Sequence, residues 1–278
     1  MKKKKSPIGV FDSGYGGLTI FDNILRLLPE YDYIYFGDNA RTPYGPRSFE
    51  IVYQFTRQAV TRLFDEGCPL VILACNTASA KALRSIQQLD LPESEDPTRR
   101  VLGVIRPTVE ALGQISRTRH IGVLGTAGTI SSGSYTMEIE KLFPDMTVTG
   151  EACPMWVPLV ENREYDSDGA DYFVKKNINH IFATDPQIDT LVLGCTHYPL
   201  LEAKIRKYLP EGVTLLSQGP YVADSLKDYL LRHPEMSGRL SENGECRFMT
   251  TEAKEKFSET ASLFLNRPVD VEQLIIDN

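Results

Sequence analysis

Short apolar runs rich in β-branched and aromatic residues alternate along this chain with longer amphipathic stretches, the pattern of parallel sheets covered by helices on both faces. The runs predict strands at Ile8–Asp12, Tyr33–Gly37, Leu70–Ala74, Val101–Val104, His120–Leu124, Thr147–Ala152, Thr190–Leu193 and Thr214–Leu216. Between them the spacing predicts helices at Leu18–Leu28, Phe49–Glu66, Ser79–Leu89, Pro107–Ile115, Ser134–Leu142, Asp168–Phe182, Leu200–Leu209 and Tyr221–Leu231. So many βα units exceed one ordinary open sheet. The polar stretch Asp90–Arg100, with Pro92 and Pro97, reads as a surface connection, and a boundary is expected near Gly103.

A coarse repetition lies over this alternation. Leu70-Val-Ile-Leu-Ala-Cys75-Asn76-Thr77 and Thr190-Leu-Val-Leu-Gly-Cys195-Thr196-His197 each run an apolar strand into a small residue, a cysteine and a threonine-bearing polar pair. The two halves therefore read as related folds facing each other. Ligand-contacting residues of open α/β sheets sit just beyond the carboxyl ends of strands, which is where both cysteines fall.

Composition narrows the class. With 278 residues, 42% of them hydrophobic, the chain can bury two cores. A net charge of −7 gives no electrostatic footprint for nucleic acid or an anionic membrane. The basic cluster Lys2 to Lys5 has no apolar segment after it and reads as a solvated tail rather than a secretion signal. No run approaches the ~20 apolar residues that cross a bilayer, so a cytoplasmic protein with a small-molecule substrate is expected. Cys68, Cys75, Cys153, Cys195 and Cys246 lack paired spacing and are expected to be free thiols.

Four segments carry candidate chemistry. Cys75 is followed by Asn76, Thr77 and Ser79 at a helix start, whose free N–H groups are expected to lower a thiol pKa; the plainer alternative is one more buried core cysteine. Cys195 has His197 two positions on, either a proton partner or a structural imidazole. Phe11-Asp12-Ser13-Gly14-Tyr15-Gly16-Gly17 is a strand end running into a glycine-rich turn that could cradle a carboxylate or serve only as a turn. Its spacing matches neither the dinucleotide fingerprint nor the P-loop. Asp12 reads as a helix-capping acid or as an orienting base beside a thiol. The loop Asp38-Asn-Ala-Arg41-Thr-Pro43-Tyr44-Gly45 makes a rigid turn with backbone N–H groups for a distal carboxylate, or an ordinary connection.

Two thiols on facing halves suit one reaction in particular. Inverting an amino acid at Cα without a cofactor removes a proton from one face and delivers another to the opposite face, and a single base cannot easily reach both. One sulfur enters as thiolate and the other as thiol. Neither a pyridoxal-phosphate lysine nor a metal cage is evident, so no cofactor and no metal are expected, and hydrogen bonds from Ser13, Asn76, Thr77 and Thr196 would share the stabilisation of the carbanion. Asp12 and His197 are the candidate proton partners, one per side. A cysteine phosphatase needs an arginine six positions after its cysteine, where Lys81 and Leu201 stand. A zinc site would lack paired cysteines. A non-catalytic amino-acid-binding or thiol redox module would keep the cleft without proton transfer.

At these residues the sequence closely resembles the glutamate racemases of the aspartate/glutamate racemase family. The resemblance runs through Phe-Asp12-Ser13-Gly-Tyr-Gly-Gly-Leu, Gly-Asp38-Asn-Ala-Arg41-Thr-Pro43-Tyr44-Gly45, Ala-Cys75-Asn76-Thr77-Ala-Ser79, Gly125-Thr126-Ala-Gly128-Thr129, Val157-Pro158-Leu159-Val160-Glu161 and Gly194-Cys195-Thr196-His197-Tyr198-Pro199. It implies an α/β fold of two Rossmann-like, flavodoxin-like domains with parallel sheets. One would span 1–103 and be completed by 218–278, the other 104–217, with the active site in the cleft between them. It also implies that Cys75 and Cys195 are the acid/base pair, Cys75 acting on the D enantiomer and Cys195 on the L. Asp12, Ser13, Pro43, Tyr44, Gly45, Asn76, Thr77, Thr126, Glu161, Thr196 and His197 would line the substrate site, Glu161 close to the second cysteine. D-glutamate for peptidoglycan is the implied product. Aspartate is the alternative substrate, against which the Cys195-Thr-His-Tyr-Pro and Pro43-Tyr44-Gly45 segments speak. Arg106-Pro107-Thr108 departs from the acid and Pro-Gly of many members, so contacts at the domain junction are expected to differ. Monomer and homodimer both stay open.

Overall fold

The structure, a computed structural model, describes residues 5–265 and 267–274. Its strands are β1 (Ile8–Asp12), β2 (Tyr33–Gly37), β3 (Leu70–Leu73), β4 (Arg100–Gly103), β5 (His120–Gly125), β6 (Thr147–Ala152), β7 (Thr190–Gly194), β8 (Thr214–Leu216), β9 (Cys246–Thr250) and β10 (Val271–Gln273). They form two all-parallel sheets, one of six strands ordered β10-β9-β2-β1-β3-β4 and one of four ordered β6-β5-β7-β8. The shared part of the two sheets has the same topology. In each, the first strand lies between the second and the third, so the crevice beyond the first and third strands is the topological switch point where α/β folds place their ligands.

Helices cover both faces. They are α1 (Leu18–Leu27), α2 (Phe49–Asp65), α3 (Asn76–Lys81), α4 (Leu83–Ser85), α5 (Ile105–Ile115), α6 (Ala127–Ser131), α7 (Ser134–Leu142), α8 (Trp156–Glu161), α9 (Asp168–Thr184), α10 (Glu202–Tyr208), α11 (Gly219–Arg232), α12 (Pro234–Ser237) and α13 (Lys254–Leu265). Because side chains alternate across a strand, β1 sends Ile8 and Val10 to a core with Leu18, Phe21, Leu226 and Phe257, and Phe11 to the opposite core with Val52 and Leu63. In the second sheet Leu191 and Leu193 pack toward α8, α9 and α10, while Val192 faces α5 and α7. Strands buried on both faces read as continuous apolar runs, which is why their positions were legible.

Several predicted boundaries move, most by one or two residues. The helix expected at Ser79–Leu89 begins at Asn76 and breaks into α3, α4 and a π-turn at Ile86–Asp90. Its N-cap is Cys75 itself, whose sulfur accepts from the Ala78 amide at 3.4 Å. The helix expected at Leu200–Leu209 opens as a 3₁₀ turn at Tyr198–Leu201, and that at Pro107–Ile115 starts two residues earlier, at Ile105. Strands β9 and β10 and helices α6, α8, α12 and α13 were not expected. The first two are short, mixed in polarity and paired at the edge beyond β2, a position that local pattern does not encode.

Lys2, Lys3 and Lys4 of the basic cluster lie outside the described residues; Lys5 pairs with Glu242 at 3.3 Å. Among the described residues no helix is long and apolar enough to cross a membrane. All five cysteines are free.

The loop entering β5 is pinned by one carboxylate. Asp189 accepts from Ser116 Oγ at 2.7 Å, from the amides of Arg117 and Thr118 at 2.6 and 2.7 Å, and from Thr190 Oγ1 at 2.9 Å. Burial would raise its pKa, but these donors outweigh burial and hold it at about 2. Asp189→Asn is expected to cost about 2 kcal/mol at neutral pH, as for a hydrogen-bonded charged group. Since the folded pKa is depressed, that advantage over the variant is complete above the unfolded carboxyl value of about 4 and disappears as pH falls toward about 2. Denaturant titration of both proteins across this range checks it.

Candidate active site

Both cysteines end up where the topology directs them. Cys75 follows β3 and Cys195 follows β7, the third strand of each sheet, and the carboxyl ends of the two sheets face a common cavity of about 650 Å³ including its mouth. Its wall includes Cys75, Cys195, Ser13, Pro43, Tyr44, Gly45, Asn76, Thr77, Thr126, Thr196 and His197. Asp12 and Glu161 stand behind that wall, in contact with residues that form it. Thr42, Pro46, Ala127, Cys153, Pro154, Val157 and Pro158, none of them among the candidate site residues, also line the cavity. Apart from neighbouring motif residues, nothing in their types marks them.

On the first side, Ser13 Oγ lies 3.3 Å from Cys75 Sγ. The helix start does not leave this thiol acidic as expected. Burial pushes Cys75 up to about 12 and the Asp12 charge adds to it, against the lowering bonds from Ser13 and the Ala78 amide. A short helix offers little compensation for removing a thiolate from water.

The glycine-rich turn also has a different use from a cradle. The Gly14 amide is taken by Asp12 Oδ2 at 2.9 Å. A Cβ on Gly16 would come within 2.4 Å of Thr196 Oγ1 and 2.6 Å of His197 Nδ1, so glycine here lets the first sheet's turn pack directly on the second cysteine's loop. Thr19 Oγ1 crosses the same contact to Thr196 O at 3.1 Å. Thr196 in turn donates to Asp12 Oδ1 at 3.4 Å, which draws Asp12 toward the Cys195 side. Asp12 is fully buried, and burial raises its pKa despite the nearby His197 and the amides of Gly17 and Gly14.

The second side holds a three-residue chain. His197 Nδ1 lies 3.8 Å from Cys195 Sγ, and His197 Nε2 lies 2.5 Å from Glu161 Oε1. Burial alone would favour a neutral ring, yet the bonds to Cys195 and Glu161 carry the imidazole pKa well above its ordinary value. Tyr198 next in sequence is locked against Trp156, ring centroids 4.8 Å apart, with its hydroxyl donating to Cys153 O at 3.2 Å.

The remaining wall joins the two sheets. Tyr44 is buried with its hydroxyl donating to Asp38, which also accepts from Arg41 Nε at 2.7 Å. Gly45 O accepts from the Gly128 amide at 2.9 Å, tying this loop to α6. Thr77 and Thr126, one from each sheet, meet at 3.0 Å, and Thr129 closes the group at 3.1 Å from Thr126. The cavity thus has hydroxyls, amides and several prolines in its wall, with Cys75 after a strand of the first sheet and Cys153 and Cys195 after strands of the second.

Thiols, an imidazole and hydroxyls thus meet in one cleft between two α/β sheets, the place where enzymes of this fold class bind small molecules. A family model described as Asp/Glu/Hydantoin racemase matches residues 8–225. Glutamate racemase of Ruegeria sp. (strain TM1040) is 40% identical over 275 residues, covering 95% of this chain and 98% of that protein. Among solved structures, glutamate racemase isoform RacE1 from Bacillus anthracis superposes with a TM-score of 0.88 at 37% identity, covering 98% of each chain. Glutamate racemase from Francisella tularensis in complex with D-glutamate gives 0.86 at 32% identity, again over 98% of each chain. The chain belongs to the Asp/Glu/hydantoin racemase family and is an amino-acid racemase.

Proposed function

We propose that this protein interconverts L- and D-glutamate by two-thiol acid/base catalysis without a cofactor, supplying D-glutamate for peptidoglycan. The observation that carries the reading is that Cys75 and Cys195, each following the third strand of its sheet, lie in the wall of a single cavity. For the L enantiomer, Cys195 is the base and takes the α-proton, while Cys75, held protonated by burial, delivers its proton to the opposite face. The sulfurs end in exchanged states, and the D enantiomer runs the same steps in reverse. His197, anchored by Glu161, supports charge at Cys195. Ser13 is the group in contact with Cys75, and Asp12 acts on that thiol through its charge.

Asn76, Thr77, Thr126 and Thr196, with the Pro43-Tyr44-Gly45 loop, would hold the two carboxylates and the ammonium so that Cα sits between the sulfurs. The domains we assign are 1–103 completed by 218–278, and 104–217, which follows the division of strands between the two sheets. A cytoplasmic location fits a protein acting on a free amino acid.

The test is incubation with L-glutamate, D-glutamate and both aspartate enantiomers in D₂O, read by circular dichroism and by deuterium at Cα. Glutamate is expected to racemise with solvent deuterium incorporated, and aspartate to react at least about 10²-fold more slowly, as a distal carboxylate one methylene short would miss its donors. Enzyme dialysed against chelator is expected to retain its rate. Binding of glutamate without exchange, or restoration of a lost rate by pyridoxal phosphate, metal, flavin or nucleotide, overturns the reading.

A further inference from the structure

We infer that Gln218 is a positioning residue for this site, holding the Asn76 amide in one orientation through a closed ring of buried hydrogen bonds. The inference rests on the reading of Asn76 as a substrate contact. Gln218 is 2% exposed and stands between β8 and α11, where the chain returns from the second sheet to the first. Its Oε1 accepts from Asn76 Nδ2 at 2.6 Å. Its Nε2 donates to Tyr135 OH at 2.8 Å and to Thr108 Oγ1 at 2.7 Å. The Tyr135 hydroxyl completes the ring by donating to Asn76 Oδ1 at 2.7 Å.

Such a ring could run in either direction if both amides flipped together, with each donor becoming an acceptor. Thr108 removes that freedom. Its single hydroxyl hydrogen is committed to Val104 O at 2.7 Å, so toward Gln218 it can only accept. Gln218 must therefore present its NH₂ to Thr108 and its carbonyl to Asn76. Asn76 is left with one N–H and one carbonyl lone pair at fixed places beside Cys75. Val104 and Thr108 sit just beyond β4, where the chain first crosses between the sheets, so the ring also fastens both crossings to the residue after the first cysteine. Asn76, Thr108, Tyr135 and Gln218 are all buried, so a missing partner leaves a buried polar group to be satisfied at a cost.

A double-mutant cycle on kcat/KM for glutamate, in the full chain, tests this. Gln218→Met keeps the length of the side chain and removes every ring bond it makes. In the wild-type background the expected loss is about 10–100-fold, and in the Asn76→Ala background the further loss is expected to stay under about threefold, because no amide remains to be oriented. A merely structural glutamine lowers both backgrounds by the same factor. That outcome, or a folded Gln218→Met with less than about threefold loss in the wild-type background, overturns the inference. Should Gln218→Met fail to fold, Thr108→Val is carried through the same cycle, with about fivefold loss expected in the first background and none in the second. Turnover of glutamate by the wild type, and its loss by at least about 10-fold in Asn76→Ala alone, check the underlying reading separately; a smaller loss in Asn76→Ala overturns the reading of Asn76 and the inference with it.

Discussion

Alanine at either Cys75 or Cys195 leaves a folded protein that has lost racemisation, with kcat/KM lower by about 10⁴-fold in both directions, the upper end of what a single acid/base group contributes. Cys75 follows β3 and Cys195 follows β7, the equivalent strands of the two sheets, while Cys153, the third cysteine of the wall, follows β6; the Ser13 hydroxyl and the His197 imidazole serve the two sulfurs as partners. Folding is expected to survive. Cys75 contributes one amide cap to a six-residue helix, worth about 1 kcal/mol, and Cys195 packs at the margin of a core dominated by Trp156, Leu191 and Leu193. Any residual α-deuterium exchange should be confined to one enantiomer, D for Cys195→Ala and L for Cys75→Ala, because the surviving sulfur reaches one face only. Alanine at Cys68, Cys153 or Cys246 should leave exchange on both faces. Racemisation by either Cys75→Ala or Cys195→Ala within about tenfold of wild type would end the two-thiol account.

His197→Asn is the second large effect, with an expected loss of about 10²–10⁴-fold in kcat/KM. L- and D-glutamate have equal free energy, so kcat/KM must fall by the same factor in both directions. Any directional difference appears only as compensating changes in kcat and KM. The structure predicts that difference, because the Glu161–His197–Cys195 chain lies wholly on the second cysteine's side. Glu161→Gln should show a smaller loss of the same directional character, since it keeps an oxygen near His197 Nε2 but removes the charge that favours the imidazolium. Progress curves from both enantiomers measure all four constants. A loss below about threefold for His197→Asn would mean that Cys195 works without an imidazole partner.

The sequence by itself determined eight of the ten strands described and the position of both cysteines. Strands buried on both faces must be apolar throughout, so runs such as Leu70–Leu73 and Thr190–Leu193 announce themselves, and a cysteine with polar followers at the end of such a run falls at the sheet's carboxyl edge whatever surrounds it. The glycines near Asp12 signalled a close approach, though not its partner. Tertiary structure alone decided what depends on residues distant in the chain. It carried β9 and β10 onto the edge beyond β2, brought Gly16 against Thr196 and His197, and turned Asp12 toward Thr196 while leaving Ser13 on Cys75. It also reversed the expected acidity of Cys75, because the loss of water around a buried sulfur outweighs the donors that a helix start supplies, and burial is a property of the assembled cleft. Gln218 carried no signal in the chain for the same reason: a glutamine after a short strand becomes a clamp only when Asn76, Thr108 and Tyr135, from three other segments, close around it.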